Sequence, residues 1–167
     1  MDLTTRPAEP NDVDAIARIY NEGIAEGNAT FETEPRTPAD IAAALGERFP
    51  AVVAIADGEV VGWAWAPPYR PDRSAYRGVA EFSVYVAGTA RRRGVGRALL
   101  RSLIDEATSR GYWKLLSRIF PENRASLALC RAMGFREVGV YRRHARLAGR
   151  WRDCVIVELP LGEAAEP

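Results

Sequence analysis

Hydrophobic positions in the first half of the chain form two different patterns, one with helical spacing and one of continuous apolar runs. Ile16, Tyr20 and Ile24 recur every four residues, which is the spacing of one face of an amphipathic helix. Further on, two apolar runs flank Asp57-Gly58, a dipeptide typical of a tight β-hairpin turn. The pattern predicts, in chain order, a strand at Leu3–Pro7, a helix from Asn11 or Asp12 to near Gly27, a loop at 30–35, a helix capped by Thr37 and continuing through 41–49 to Pro50, strands at Ala51–Ala56 and 60–66, and a polar loop at 67–78.

Strands and helices alternate in the second half. Val95, Leu99 and Leu103 recur at helical spacing and predict a helix that opens at Gly94 and Gly96. Because some strands are linked by hairpins and others by helices, we expect one α/β domain with a mixed sheet of about seven strands and four helices, over residues 1–161, and a flexible tail at 162–167. The remaining predicted elements are strands at 80–86, Lys114–Ile119, 135–140 and 155–159, and a helix from Asn123 or Arg124 to Met133.

Composition adds an uneven distribution of charge to this picture. The chain has 167 residues, 47% of them hydrophobic, and a net charge of +1. Residues 91–152, however, carry 16 Lys or Arg against 4 Asp or Glu, while the rest of the chain carries 7 against 18. A local basic surface of this kind is what a phosphate-bearing ligand requires, even in a nearly neutral protein.

Other features exclude several classes of protein. The hydrophobic content is too high for a disordered chain, and no apolar run approaches the ~20 residues of a membrane span. The two cysteines, Cys130 and Cys154, have neither the spacing of a metal site nor that of a disulfide framework, so we expect reduced core residues and no metal. Without a signal segment or anchor, we expect a cytoplasmic protein that binds no membrane.

A strand, a basic turn and an amphipathic helix follow one another at residues 84–98. Gly94 and Gly96 allow the backbone to approach an anion, which the free N–H groups and the positive dipole end of a helix favour. The turn is not a P-loop, because it lacks Gly-Lys-Ser/Thr, and it lacks the third glycine of the dinucleotide fingerprint. Taken alone, it is also typical of a solvated loop whose glycines cap a helix.

The segment Arg91-x-x-Gly94-x-Gly96 resembles the pyrophosphate loop of the GCN5-related N-acetyltransferases. Residues 123–126 (NRAS) and 129–135 (LCRAMGF) resemble that family's second cofactor-side helix and its Gly-Phe end. Stretches over almost the whole chain resemble the phosphinothricin, methionine sulfoximine and arsinothricin acetyltransferases: TFETEP at 30–35, RSAY at 73–76, EFSVYV at 81–86, PEN at 121–123 and GRWRD at 149–153. The resemblance implies a V-splayed, mostly antiparallel sheet, acetyl-CoA as donor, transfer to the α-amine of a glutamate-like amino acid, antibiotic or herbicide resistance, and a homodimer.

The resemblance also implies which residues contact acetyl-CoA. The backbone of Val84 and Val86 would pair with the pantetheine arm like an added strand, the basic loop would wrap the pyrophosphate, and Asn123 would contact the cofactor from the other side. The residues so implied as cofactor-binding are Val84, Tyr85, Val86, Arg91, Arg92, Arg93, Gly94, Val95, Gly96, Arg97, Asn123 and Ser126.

Acetyl transfer to nitrogen needs a neutral amine, so a base or a water relay must remove a proton from the α-ammonium group. The resemblance implies Glu81 as the base; from the pattern alone, Glu81 is equally typical of a solvent-facing strand edge. A backbone N–H at 84–86 is the expected donor to the oxyanion. Cys130 stands where relatives have a Tyr or His general acid, but its helical spacing with Leu127 and Met133 favours a core residue.

The implied acceptor offers an α-carboxylate and a side-chain anion, which Arg and hydroxyl donors bind. The resemblance implies Phe31, Arg73, Tyr76 and Tyr85 as substrate-binding residues. The alternative from the pattern is that Tyr85 is a core residue and Arg73 a solvated loop charge.

Two other functions stay open. The same fold can acetylate a polyamine or a protein N-terminus, although a polyamine site should be acidic, which Arg73 argues against. The basic segment also suits a non-enzymatic module that binds coenzyme A or nucleic acid. Because its basic residues are spread over several elements rather than one recognition element, we expect a small-molecule amino-acid substrate and no nucleic acid.

Overall fold

Two four-stranded sheets form the framework of the protein, whose computed structural model describes all 167 residues. The first sheet has the order β1-β2-β3-β5, with every pair antiparallel; the second has the order β4-β6-β8-β7, with only β4 and β6 parallel. The strands are β1 (Leu3–Pro7), β2 (Ala51–Ala56), β3 (Glu59–Trp65), β4 (Val79–Glu81), β5 (Ser83–Val86), β6 (Lys114–Ile119), β7 (Arg136–Leu147) and β8 (Arg150–Pro160).

Four α-helices accompany the sheets, as predicted: α1 (Val13–Glu26), α2 (Pro38–Gly46), α3 (Val95–Ser109) and α4 (Arg124–Ala132). Both α1 and α3 pack on the first sheet, and their fully buried residues, such as Ile16, Leu99 and Leu103, form one core with Val52 and Val53 of β2. The predicted mixed α/β fold is confirmed. None of the helices combines the length and the apolar character needed to cross a membrane.

The chain changes sheets at Phe82, and this change creates the cleft. Before Phe82, β4 pairs with β6; after it, β5 pairs with β3. The Phe82 N–H donates to the carbonyl of Leu116 over 2.9 Å, and its side chain is buried. The single strand predicted at 80–86 is therefore two strands, which makes eight strands rather than seven, because this stretch contains no Gly or Pro to signal such a change.

Two other element boundaries differ from the prediction. Helix α2 ends at Gly46 rather than continuing to Phe49, since Arg48 adopts a left-handed backbone conformation with φ of 61°. The hairpin of β7 and β8 is much longer than the predicted strands at 135–140 and 155–159, because polar, exposed residues continue the ladder as far as the Ala148-Gly149 turn. Residues Gly162–Ala165 form a short exposed 3-10 turn, and the flexible tail stays a prediction.

Tyr85 belongs to an aromatic cluster of the core. Its ring stacks on Trp63 with centroids 4.8 Å apart and meets the edge of Tyr20 at 5.0 Å. Gly23 of α1 lies directly against it, since a Cβ at this position would come within 2.6 Å of the Tyr85 ring. The core interpretation of the Tyr85 side chain is therefore correct, although the residue also faces the cleft described next.

Candidate active site

A cavity of about 60 Å³ lies where β4 and β5 separate. Its walls come from β5, from the end of β6 and from the first turns of α4. The cavity brings together five of the residues predicted as site residues: Val84, Tyr85, Asn123, Ser126 and Cys130.

One edge of β5 is open towards this cleft. The Ala87 N–H donates to the carbonyl of Val61 over 2.9 Å, and Val86 pairs with Gly62 in the antiparallel register. Because hydrogen-bonding direction alternates along an antiparallel strand, the N–H and C=O groups of Val84 and Val86 point away from β3. Apart from the Val86 carbonyl, which accepts a hydrogen bond from Arg91, they are positioned to pair with an extended ligand, as an added strand would.

The basic loop between β5 and α3 contains two left-handed residues. Arg92 has φ of 60° and Gly94, the N-cap of α3, has φ of 81°. Successive backbone N–H groups in such a turn, followed by the free N–H groups of the first helical turn, form an anion-binding concavity. A glycine is needed at position 96 for a different reason. A Cβ there would lie 3.3 Å from Leu129 of α4, so the glycine permits close helix packing.

The four arginines of this loop region do not have the same environment. Arg91 donates to the carboxylate of Glu26 over 2.8 Å and, through Nε, to the Val86 carbonyl over 3.2 Å. The exposed side chains of Arg92, Arg93 and Arg97 form no ion pair. Arg91 therefore ties the loop to α1, while three free cations surround the N-terminus of α3. Val95, also predicted as a cofactor residue, is buried in the core, so its backbone N–H alone faces this turn.

Two predicted residues of α4 have structural roles. The Asn123 side chain caps the helix by accepting the Ser126 N–H over 3.2 Å. Cys130 is only 2% exposed, and burial, with the nearby Glu137 charge, raises the pKa of its thiol to about 12. A thiol of such high pKa is a weak acid, which favours the core interpretation over a proton donor. Burial likewise raises the pKa of the Tyr85 hydroxyl, which stays protonated.

Glu81, the last residue of β4, forms an ion pair that the sequence pattern does not predict. Its carboxylate accepts a hydrogen bond of 2.9 Å from Nη2 of Arg118 on β6, a residue that lines the cavity. The two residues are 37 positions apart. The only available signal was the alternation of β6, in which exposed Arg118 separates buried Ser117 and Ile119.

The predicted acceptor residues are not all brought together. Phe31 packs edge-on against Phe120, with ring centroids 4.8 Å apart, and is not among the residues that line the cavity. Arg73 and Tyr76 are exposed on the loop before β4, where Tyr76 contacts Tyr69. Of the four residues, only Tyr85 lines the cavity. Binding by Phe31, Arg73 and Tyr76 stays a prediction.

A two-sheet fold that splits beside a basic helix N-terminus provides a cleft suited to a phosphate-bearing ligand, and comparison with known proteins identifies the family. The sequence model of the acetyltransferase (GNAT) family matches residues 16–135. The chain belongs to this family, as the resemblance of its motifs implied, and is an N-acetyltransferase.

Individual relatives agree with this assignment. Phosphinothricin N-acetyltransferase of Alcaligenes faecalis is 38% identical over 95% of this chain and 82% of its own. A phosphinothricin acetyltransferase of Sinorhizobium meliloti, solved in complex with AcCoA, is 36% identical with a TM-score of 0.91, over 98% of this chain and 91% of that one. A ribosomal-protein-alanine N-acetyltransferase of Brucella melitensis is 36% identical with a TM-score of 0.90, over 95% and 99%.

Proposed function

We propose that the protein transfers the acetyl group of acetyl-CoA to the α-amine of a small glutamate-like amino acid, of the phosphinothricin, methionine sulfoximine or arsinothricin type. The observation that carries this proposal is the junction at Phe82, which sets Glu81 at the end of one sheet directly beside the open edge of β5 in the other. The name of the Alcaligenes faecalis relative supports the acceptor class.

The residues of the cleft fit acetyl-CoA. The N–H and C=O groups of Val84 and the N–H of Val86 are open to the two amides of a pantetheine arm, since both sets alternate along an extended chain. The Val86 carbonyl already accepts a hydrogen bond from Arg91. Arg92, Arg93 and Arg97, with the N-terminus of α3, would hold the pyrophosphate. Bound in this way, acetyl-CoA supplies an activated thioester carbonyl beside β5.

Glu81 then acts as the base, directly or through one water. It removes one proton from the acceptor ammonium group, and the neutral nitrogen forms the new N–C bond as the C–S bond breaks. The second proton that the nitrogen then loses passes, directly or through water, to the departing coenzyme A thiolate, which leaves as the free thiol. An N–H of the open β5 edge donates to the carbonyl oxygen while it carries negative charge. We give Cys130 no role as an acid, because its pKa of about 12 lies above the ordinary value of 9.0 for a thiol.

The direct test measures thiol release from acetyl-CoA with a panel of acceptors: phosphinothricin, methionine sulfoximine, arsinothricin, glutamate, spermidine and a peptide with N-terminal alanine. We expect acceptor-dependent release with at least one of the four amino acids, and acetylation of its α-amine by mass spectrometry. Release with spermidine or the peptide alone would contradict the proposal.

A protein N-terminus is the second candidate acceptor, favoured by the likeness to the Brucella melitensis structure. A peptide differs from a free amino acid in one respect that matters for this cleft, since its first residue has no α-carboxylate. A homodimer, a cytoplasmic location and the absence of nucleic-acid, membrane and metal binding stay predictions.

A further inference from the structure

We propose that Arg118 binds the α-carboxylate of the acceptor and thereby selects free α-amino acids. This inference rests on the proposed acetyl transfer and adds to it a residue that carries acceptor specificity. The acceptor residues implied by the family resemblance do not include Arg118.

The location of Arg118 supports a binding role. Among the twelve residues that line the cavity, Arg118 carries the only charged side chain. The side chain is 44% exposed, and its single hydrogen bond goes from Nη2 to Glu81. A guanidinium group has five N–H donors in a planar fork, so four donors are available to an anion that enters the cleft.

The pairing of Arg118 with Glu81 indicates that the anion bound by Arg118 is the carboxylate of an α-amino acid. An α-amino acid carries its carboxylate on the same carbon as its amine. A base that takes the amine proton and a cation that holds the carboxylate must therefore be neighbours. Glu81 and Arg118 meet this condition, since their charged atoms are 2.9 Å apart.

The two residues together are complementary to a zwitterion. The acceptor ammonium group would face the Glu81 carboxylate and the acceptor carboxylate would face Arg118, so that each charge lies next to one of opposite sign. A polyamine or a peptide N-terminus offers only the cation and leaves the donors of Arg118 without an anion. The site therefore discriminates against amines that lack an adjacent carboxylate.

Nearby arginines are less suited to this role. Arg152 stacks 4.0 Å above the Phe120 ring and already donates to Glu122 and to the Gly27 carbonyl, each over 3.3 Å. Arg73 lies on the exposed loop and does not line the cavity. Arg118 alone combines free donors with contact to the cavity.

The test compares each active amino acid with its α-carboxamide, which keeps the amine and the side chain but loses the carboxylate charge. Steady-state kcat and KM are measured for the wild-type protein, for Arg118→Gln and for Arg118→Lys. The matched control is Arg110→Gln, which removes an exposed arginine paired with Glu106 at the far end of α3. Because the amide also has a more acidic amine, the decisive quantity is the amino acid to carboxamide ratio of each variant relative to the wild type.

We expect Arg118→Gln to lower kcat/KM for the amino acid by about tenfold to a hundredfold, mainly through KM, as loss of charge-assisted hydrogen bonds should. The same variant should change the carboxamide less than about threefold and leave the KM for acetyl-CoA unaltered, while Arg118→Lys recovers part of the loss.

Equal losses for both acceptors would overturn the inference, since Arg118 would then act only by orienting Glu81, and so would no loss for either. If the wild-type protein acetylates no free amino acid, the proposed function itself fails, which is a separate and distinguishable result.

Discussion

The guanidinium of Arg91 lies 2.8 Å from the carboxylate of Glu26, the last residue of α1. Arg91 is the first residue of the motif that resembles a pyrophosphate loop, yet its charge is already paired. The neighbouring Glu22 accepts the Gly88 N–H over 3.0 Å, so the C-terminal turns of α1 hold this loop at two points. We infer that Arg91 positions the loop, whereas Arg92, Arg93 and Arg97 contact phosphate.

A double-mutant cycle on Arg91 and Glu26 tests this division. We expect Arg91→Gln and Glu26→Gln each to raise the KM for acetyl-CoA by about two- to fourfold, because either change loosens an exposed ion pair. The double variant should resemble the single ones, since both remove the same contact. If Arg91 instead bound phosphate directly, Glu26→Gln would free its charge and lower the KM.

The left-handed conformation of Gly94 predicts a specific loss of cofactor affinity. Gly94→Ala places a side chain at φ of 81°, which costs about 1 kcal/mol and shifts the loop. Gly149→Ala is the matched control, because its φ is 77° and no atom lies near its added Cβ either, but it belongs to the distant β7–β8 turn. Both variants should lower Tm similarly, while only Gly94→Ala should weaken acetyl-CoA binding in calorimetric titration.

Removal of the proposed base should lower turnover without changing the affinity for acetyl-CoA. We expect Glu81→Gln to lower kcat by about a hundredfold to ten-thousandfold, since general-base catalysis contributes that much, while the Kd for acetyl-CoA stays within twofold. Glu137→Gln, which removes an exposed carboxylate paired with Arg131, serves as control. Unchanged turnover in Glu81→Gln, or an equal loss in the control, would assign the base elsewhere.

Cys130 should matter for stability and not for proton transfer. The thiol is buried and its pKa is raised to about 12, so it donates a proton to a coenzyme A thiolate only with difficulty. We expect Cys130→Ala to lower the free energy of unfolding by about 1 kcal/mol through the lost volume, with the pH dependence of kcat unchanged. A large fall in the kcat of this variant at every pH, with loss of any decline of kcat that the wild type shows at high pH, would restore the acid role.

The Arg6–Asp12 pair should make the free energy of unfolding depend on pH in the acidic range. Burial alone would raise the pKa of Asp12, but hydrogen bonds from Arg6 at 2.8 and 2.9 Å and from the Glu9 N–H at 2.7 Å hold it below the ordinary value of 3.8. Such a depressed pKa stabilises the fold above pH 3.8 and ceases to do so as the pH falls through the folded-state value.

Asp12→Asn should therefore cost about 2 kcal/mol at neutral pH, measured by urea unfolding, and the difference from wild type should shrink in acid. Asp105→Asn removes an exposed carboxylate that forms no ion pair and should have almost no effect. A cost for Asp12→Asn that does not vary with pH would mean that shape, and not charge, stabilises this contact.

Elements specified by local chemistry were predictable from the sequence. Asp57 and Gly58 have the positive φ angles of a two-residue hairpin turn, and Thr37 forms a reciprocal capping box with Asp40 at the start of α2. The cofactor loop was equally predictable, since Gly94 and Gly96 are only two positions apart and motif spacing identifies them.

Features that depend on packing between distant segments were not predictable in this way. The change of sheet at Phe82 is marked by no Gly or Pro in the segment 80–86, and the pairing of Glu81 with Arg118 requires β4 and β6 to be aligned first. Nor could the sequence distinguish Arg91 from its neighbours, because the partner that occupies it, Glu26, lies 65 residues away.

The junction at Phe82 also separates donor binding from acceptor binding, because it assigns each to a different sheet. Under the proposed function, the donor lies along β5 and α3, whereas the base and the acceptor carboxylate are held by β4 and β6 of the other sheet. Substitutions on β6 can then change which amine is accepted while the donor site stays intact. Under the proposed function, such an arrangement lets one donor-binding scaffold take a new acceptor through single substitutions in the other sheet.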